Sequence, residues 1–201
     1  MGLLKYISNF LIFISVFLLA LIYAPVLKEE TVYQVRQVTQ QIVQGPVDLT
    51  PSNIDFSIVI PKISAIAPIT ANVDSQNQKT YLSALRRGVA HAKGTPLPGE
   101  GGNTFLFAHS TDTFYNAGRY NAVFYLMGKL KKDDEIDIFY QGRQIKYEVY
   151  DKKVVNADSS EYLHPSAEAL TKAGGKILTL QTCYPPGTTL KRLVVLAKQV
   201  E

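Results

Sequence analysis

The segment from Lys176 to Lys198 constrains the fold most strongly, because it reads as strand, turn and strand around Cys183, the only cysteine of the chain. Apolar and β-branched residues dominate 177–182 and 193–197, and both runs favour strands. Between them, Pro186 and Gly187 suit the second and third positions of a β-turn. The segment therefore predicts two adjacent strands, with the cysteine near the end of the first.

Side-chain alternation divides this predicted hairpin into two faces. Cys183 lies on one face of the first strand, and Arg192 lies on the corresponding face of the second. If the strands pair antiparallel, the two residues come close together, and a nearby guanidinium favours the reactive thiolate. Lys191 is an alternative cation, but its parity is less suitable. The opposite, mostly apolar face consists of Leu178, Leu180, Thr182, Leu193, Val195 and Ala197.

A lone cysteine has a simpler interpretation, since most such residues are small buried hydrophobes rather than nucleophiles. One cysteine cannot form a disulfide within the chain, so an exported domain of this sequence is stabilised by packing. The thiol then needs another explanation, and nucleophilic catalysis is the alternative that the neighbouring arginine favours.

The N-terminus has the pattern of a membrane anchor. Residues 6–27 carry no charge over about 22 residues, and roughly 20 are enough to cross a ~30 Å hydrocarbon layer. A cleaved signal peptide is the competing interpretation, with Tyr23-Ala24-Pro25 as a poor processing site. We expect a single-pass anchor over 1–27 with a short cytoplasmic N-terminus, an extracytoplasmic stalk or linker over 28–54, and a domain over 55–201 outside the membrane.

The domain from residue 55 onwards reads as many short strands with turn signals and only short helices, which indicates an antiparallel barrel or sandwich. Predicted strands include two that are interrupted at Pro61, one ending near His109, and a pair over 135–140 and 144–155. A short helix is expected over 79–87, ending at Gly88, and another over 166–172. The Gly- and Pro-rich stretch 91–102 is expected to be a loop.

Charge and motifs exclude several functions. The net charge of +4 is spread along the chain, so we expect no nucleic-acid partner. The acidic run Asp133-Asp134-Glu135 lacks the spaced oxygen ligands of a calcium loop and is interpreted as a turn. No phosphate loop, dinucleotide fingerprint or metal-ligand pattern occurs. We therefore expect neither a cofactor nor a metal.

A cysteine nucleophile needs an acid or base within reach, and the chain offers three histidines. His109 ends a predicted strand, where side chains emerge at a barrel rim. His91 lies in the predicted glycine-rich loop and is a weaker candidate, and His164 precedes a proline in a connection and is weaker still. Position alone leaves the choice open.

Four stretches in this order and spacing resemble the sortases, membrane-anchored cysteine transpeptidases of the bacterial surface. They are IVIPKISAIAPIT, GVAHAKGTPLPGEGGNTFLFAHS, LKKDDEIDI, and TLQTC followed by RLVVLA, and the resemblance covers 58–198. It implies a closed β-barrel of about eight strands, with His109 as catalytic histidine, Cys183 as nucleophile and Arg192 as essential arginine. It also implies two partners: a secreted protein with a C-terminal sorting motif, and an amine of a cell-wall precursor or a pilin.

The sequence departs from the family pattern beside the histidine. Ala108 stands where glycine is common, and Ser110 stands where arginine is frequent. These two residues, together with Thr182 and Tyr184, are expected to contact substrate, and the connection 156–172 is expected to form part of the groove. The departures and the long aromatic segment 111–125 resemble class D or E most. The alternative is a membrane-tethered, peptide-binding barrel that has lost turnover; a cysteine L,D-transpeptidase is disfavoured because no His-Gly precedes the cysteine.

Overall fold

A computed structural model describes residues 5–20, 31, 35, 49–110, 123–159, 161–164, 170–171 and 174–200. The chain divides into two compact units, Met1–Pro46 and Val47–Glu201. In the first unit, residues 5–20 are helical. The rest of the expected membrane span, 21–27, and most of the expected stalk lie outside the described residues. In the part of the chain that the structure describes, no helix is both long and apolar enough to cross a membrane.

The second unit is mainly β. Its strands are β1 (Phe56–Ile60), β2 (Ala65–Val73), β3 (Val89–Ala92), β4 (Gly102–Phe107), β5 (Glu135–Tyr140), β6 (Arg143–Asn156), β7 (Lys176–Tyr184) and β8 (Lys191–Val200). Helix α1 spans Gln78–Arg87, and two 3₁₀ turns span Pro61–Ile63 and Tyr125–Lys129. The strands close into a barrel in the order β1-β2-β3-β4-β7-β8-β6-β5. The predicted closed barrel of about eight strands with short helices is confirmed.

Two strand pairs of the barrel are parallel, so the expectation of an antiparallel barrel or sandwich was wrong for these two pairs. β2 pairs with β3 in parallel, and β4 pairs with β7 in parallel. Helix α1 connects β2 to β3, and a parallel pair requires such a crossover because a tight turn returns the chain in the opposite direction. β5 and β6 separate β4 from β7 along the sequence. Alternation within a strand reports its faces and not its partner, which is why the sequence did not reveal this.

The barrel interior follows from the alternation of apolar residues. One row of paired residues crosses four strands at Ala67, Ile58, Ile138 and Ile145. On β7 and β8, the face predicted to be apolar points inward, and its paired members are Leu180 with Val195 and Leu178 with Ala197. Fully buried residues of this interior are Ile58, Ile60, Ala67, Leu106, Ile136, Ile138, Leu178, Leu180, Val195 and Ala197.

The local chemistry of most elements was predictable. The backbone N–H of Thr188 donates to the carbonyl of Pro185 at 3.0 Å, and Gly187 has φ of 81°, so Pro186 and Gly187 occupy the second and third positions of the turn as expected. Asn77 caps α1 by accepting a hydrogen bond from the Thr80 backbone N–H at 3.2 Å. The prediction of a loop over 91–102 was wrong at both ends, because His91 and Ala92 belong to β3 and Gly102 begins β4. The helix expected over 166–172 lies mostly outside the described residues.

Gly88 makes the transition from α1 to β3 possible and provides a test of this architecture. Its φ is +152°, and a Cβ built there would lie 2.3 Å from the backbone oxygen of Pro68 on β2. We predict that Gly88→Ala lowers the free energy of unfolding by about 3 kcal/mol, measured by chemical denaturation of the barrel domain.

The matched control is Gly142→Ala in the β5–β6 turn. Gly142 also has positive φ, +75°, but a Cβ there meets nothing within 4 Å. Gly142→Ala should therefore lower the free energy of unfolding only by the cost of placing alanine at positive φ, about 1 kcal/mol. Equal losses for the two variants would contradict the close approach of Gly88 to Pro68.

Candidate active site

The candidate site lies on the outer face of β7 and β8, where the predicted cysteine and arginine are direct cross-strand partners. Cys183 pairs with Arg192 in the antiparallel ladder. Side chains of such a pair have Cβ atoms about 5 Å apart and lie on the same side of the sheet. The predicted proximity is therefore confirmed. Both residues are half-buried.

The position of His109 follows from the parallel pairing of β4 with β7. The ladder ends with Phe107 opposite Gln181. Two further hydrogen bonds continue it: the Ala108 backbone N–H donates to the Gln181 carbonyl at 3.2 Å, and the Thr182 hydroxyl donates to the Ala108 carbonyl at 2.8 Å. His109 follows Ala108 and Cys183 follows Thr182, and both residues line the same groove. Its carbonyl accepts a hydrogen bond from the Phe124 backbone N–H at 3.3 Å, so the chain stays anchored beyond the strand.

Arg192 is oriented by the loop that precedes it. Its Nη1 donates to the carbonyl oxygens of Thr189 and Lys191, both at 3.1 Å. These bonds hold the guanidinium at the mouth of the β7–β8 loop. A guanidinium carries five N–H donors, so bonds from Nη1 leave the Nε and Nη2 donors for another acceptor.

The three residues line one groove with a volume of about 770 Å³. Its floor is the outer face of β4 and β7. Its sides are α1 with the turn before it, the β6–β7 connection, and the β7–β8 loop. The lining residues from these sides are Ser75, Gln76, Tyr81, Leu82, Leu85, Ala157, Asp158, Ser159, Leu163, Gly187, Thr188 and Thr189. The β6–β7 connection, expected to contribute, does so through its described part.

Three of the four other residues predicted to contact substrate line the groove. Ala108, Ser110 and Thr182 line the groove, whereas Tyr184 is absent from its lining. Thr182 is buried, and its hydroxyl is used by Ala108. Its contribution to the site is therefore the alignment of β4 with β7.

Sequence reasoning missed the apolar part of the groove. Phe105 and Phe107 project from β4 on the same face as His109, and Tyr81, Leu82 and Leu85 face them from α1. A signal was present for the two phenylalanines, since they alternate with the inward Leu106. The helix carried no comparable signal, because an apolar stripe on a short helix is typical of core packing.

His91 is a structural residue rather than a site residue. It pairs with Leu106, whose side chain faces the barrel interior, and it is fully buried. The Asn72 backbone N–H donates to its Nδ1 at 3.2 Å, so Nε2 carries the proton and donates to the Pro96 carbonyl at 3.2 Å. Thr95 Oγ1 lies 3.0 Å from Nε2. The imidazole thus holds β2, β3 and the following loop together. His164 is exposed and does not line the groove.

The acidic run forms the expected turn. Asp134 accepts a hydrogen bond from the Lys131 backbone N–H at 2.7 Å, and β5 begins at the next residue, Glu135. Among the described residues, no three His, Cys, Asp or Glu side chains are grouped so as to hold a metal ion.

Comparisons with known proteins agree with this geometry. The family model of the sortase domain matches residues 58–200, so the chain belongs to the sortase family. It is 28% identical over 144 residues to sortase D of Bacillus subtilis (strain 168), a match that covers 70% of this chain and 61% of that relative. The chain thus spans less than two thirds of the curated relative's length.

Solved sortases share the fold. Sortase A from Corynebacterium diphtheriae, in a lid mutant form, superposes with a TM-score of 0.58 at 30% identity, covering 78% of this chain and 74% of that one. Sortase C-1 from Actinomyces oris superposes with a TM-score of 0.57 at 29% identity, covering 75% and 74%.

The burial of His91 predicts a pH dependence of stability. Loss of hydration lowers the pKa of His91 from its ordinary value of 6.5, against smaller opposing contributions from the Pro96 and Thr95 hydrogen bonds and Glu100. Below pH 6.5 the unfolded chain therefore binds a proton that the folded protein refuses. Stability falls as the pH drops through 6.5, by up to about 1.4 kcal/mol per pH unit, until the lower folded pKa is reached.

Denaturation of the wild type and of His91→Gln at pH 7.5 and 5.5 measures this effect. Between pH 7.5 and 5.5, we expect the free energy of unfolding to fall less in His91→Gln than in the wild type. In the exposed control His164→Gln, it should fall by as much as in the wild type. The same pH slope in His91→Gln and in the wild type would contradict the assignment.

Proposed function

We propose that this protein is a cysteine transpeptidase that joins a secreted polypeptide to an amine at the cell surface. The observation that carries the proposal is the Cys183–Arg192 cross-strand pair in one groove with His109. A nucleophile, a proton carrier and a cationic donor on one face are the groups that acyl transfer requires. Membership of the sortase family and its barrel supports the same chemistry.

In the first step, the Cys183 thiolate attacks a backbone carbonyl carbon of the bound peptide. The C–N bond of the tetrahedral adduct breaks, and protonated His109 gives its proton to the departing amine. A thioester between the peptide and Cys183 remains. The bond broken lies in a short sorting motif, between residues of the Thr-Gly type.

In the second step, an amine from a cell-wall precursor or a pilin attacks the thioester carbonyl. Neutral His109 takes the proton of the amine, the C–S bond breaks, and the Cys183 thiolate is restored. Each cycle therefore returns both groups to their initial state.

Arg192 stabilises the charge that develops on the carbonyl oxygen. Its Nη1 is already held by two loop carbonyls, so the guanidinium enters the reaction with little freedom to lose. A prepositioned cationic donor of this kind contributes about 10²–10³-fold in rate.

The groove fits an extended peptide with apolar side chains. Phe105, Phe107 and Tyr81 offer apolar surface on one side of Cys183, and the Thr188–Thr189 loop lies beside Arg192 on the other. We assign the apolar part to the residues before the scissile bond. Ala108 and Ser110 line the groove on either side of His109 in sequence and set the space that a bound peptide has next to the imidazole.

The location follows from the N-terminal sequence. The uncharged segment 6–27 anchors the protein in the membrane lipid with its N-terminus inside, and 28–54 holds the domain off the surface. Tethering raises the effective concentration of the enzyme for substrates that emerge at the same membrane. The match to sortase D supports a class D-like assignment.

The proposal is tested by incubating the barrel domain with peptides that contain LPxTG or LAxTG and an amine acceptor, and by following the ligated product. Cys183→Ala should abolish turnover, because no other described side chain can form the thioester. His109→Ala should lower kcat/KM by about 10²–10⁴-fold, and Arg192→Lys by about 10²-fold, because a lysine cannot reproduce the planar fork.

Lys191→Ala is the matched control, since this exposed cation neighbours Arg192 on the same strand and pairs with Tyr184. It should retain activity within about twofold of the wild type. Turnover by Cys183→Ala equal to that of the wild type would refute the nucleophile. Slow alkylation of Cys183 by a thiol-directed sulfonate, accelerated only by denaturant, would favour the peptide-binding barrel without turnover.

A further inference from the structure

A buried amide lies on the groove side of the barrel, at some distance from the reacting groups. Asn103 is on β4 and only 4% exposed, and its parity is that of Phe105, Phe107 and His109. His109 is six positions further along the chain, which corresponds to about 20 Å of extended backbone. It does not line the groove, so it has no place in the chemistry described above.

The hydrogen bonds of Asn103 connect the barrel to the β6–β7 connection. Its Nδ2 donates to the Tyr162 carbonyl at 2.9 Å and to the Leu163 carbonyl at 3.3 Å. Its Oδ1 accepts from the hydroxyl of Thr179 on β7 at 2.7 Å. Thr179 is 1% exposed, so both partners of this last bond are shielded from water.

The orientation of the amide is fixed by its surroundings. With the amide rotated by half a turn, Oδ1 would face two carbonyl oxygens and both donors would be lost. Thr179 maintains the observed orientation because its hydroxyl donates to Oδ1. A buried polar group that loses its partner costs about 1–3 kcal/mol. Because one amide makes all three bonds, loss of the Thr179 bond also weakens the two bonds to the β6–β7 connection.

The held segment is a wall of the groove. Leu163 lines the cavity from the side of the β6–β7 connection, together with Ala157, Asp158 and Ser159. Backbone carbonyls of Tyr162 and Leu163 are the atoms that Asn103 binds, so its contact does not depend on their side chains. Through Asn103, the barrel thereby fixes the position of this wall relative to β7, the strand that carries Cys183.

We propose that Asn103, oriented by Thr179, is a positioning residue that places the β6–β7 wall and so sets the affinity of the groove for its acyl-donor peptide. This inference rests on the proposed function. It separates two properties of the enzyme: the wall controls how tightly the peptide binds, whereas His109, Cys183 and Arg192 are held by β4, β7 and β8 and keep their reactivity.

The test uses three variants. Thr179→Val removes the hydroxyl at nearly constant shape, Asn103→Asp removes both donors, and Thr179→Ser keeps the donor as the conservative rescue. Amide hydrogen exchange of residues 161–164, KM and kcat for the peptide turned over in the preceding assay, and the rate of Cys183 alkylation are measured for each.

We expect Thr179→Val to accelerate exchange of 161–164 and to raise KM, each by about fivefold, which is the equivalent of one hydrogen bond. Its kcat and alkylation rate should stay within about twofold of wild type. Asn103→Asp should show the same pattern more strongly, and Thr179→Ser should behave as wild type. If Asn103→Asp does not fold, the comparison of Thr179→Val with Thr179→Ser still tests the inference.

Ile136→Val on β5 is the control for general destabilisation, because β5 lies on the side of the barrel away from β4 and β7. It should leave KM unchanged. Unchanged exchange of 161–164 in Thr179→Val, or a fall in kcat at constant KM, would overturn the inference. Absence of turnover by the wild type would instead remove the proposed function, and the exchange measurement would still decide whether Asn103 holds the wall.

Discussion

The site depends on the parallel pairing of β4 with β7. This pairing places Phe107 opposite Gln181, and the hydrogen bonds of Ala108 with Gln181 and Thr182 extend it beyond the end of β4. As a result, His109 follows the aligned end of β4 and lines one groove with Cys183. The register of β7 with β8 then fixes Arg192 as the partner of Cys183. A register shift of one residue in either pair would send one of the three side chains to the opposite face.

The molecule divides its tasks between the two faces of the same strands. Inward residues such as Leu106, Leu180 and Val195 are fully buried and form the interior of the barrel. Outward residues of β4 and β7 form the groove floor, so the candidate catalytic residues are carried by the same strands as the core. The walls belong to connections, which differ more readily between relatives than strands do. In the proposed function, recognition of the peptide can therefore change while the placement of His109, Cys183 and Arg192 is preserved.

Much of this was predictable because it is encoded locally. Alternation gave the faces of β7 and β8 and the proximity of Cys183 to Arg192, and the Pro186-Gly187 turn has the predicted geometry. What was not predictable depends on contacts distant in sequence. Strand β3 has only four residues, and one of them is His91. The burial of His91 depends on its pairing with Leu106, which the sequence does not reveal. Nothing in the sequence distinguishes Asn103 from other polar residues, because its partners lie about 60 and 76 positions away.

The proposed function requires that Cys183 forms a covalent acyl-enzyme in this groove, which the mass of the intact protein reveals. The barrel domain is mixed with the sorting-motif peptide without an amine acceptor and measured within seconds to minutes. We expect a mass increase equal to the part of the peptide that precedes the cleaved bond, located at Cys183 and released when an amine is added. Cleavage of the peptide without any adduct at Cys183, or the same adduct on Cys183→Ala, would contradict it.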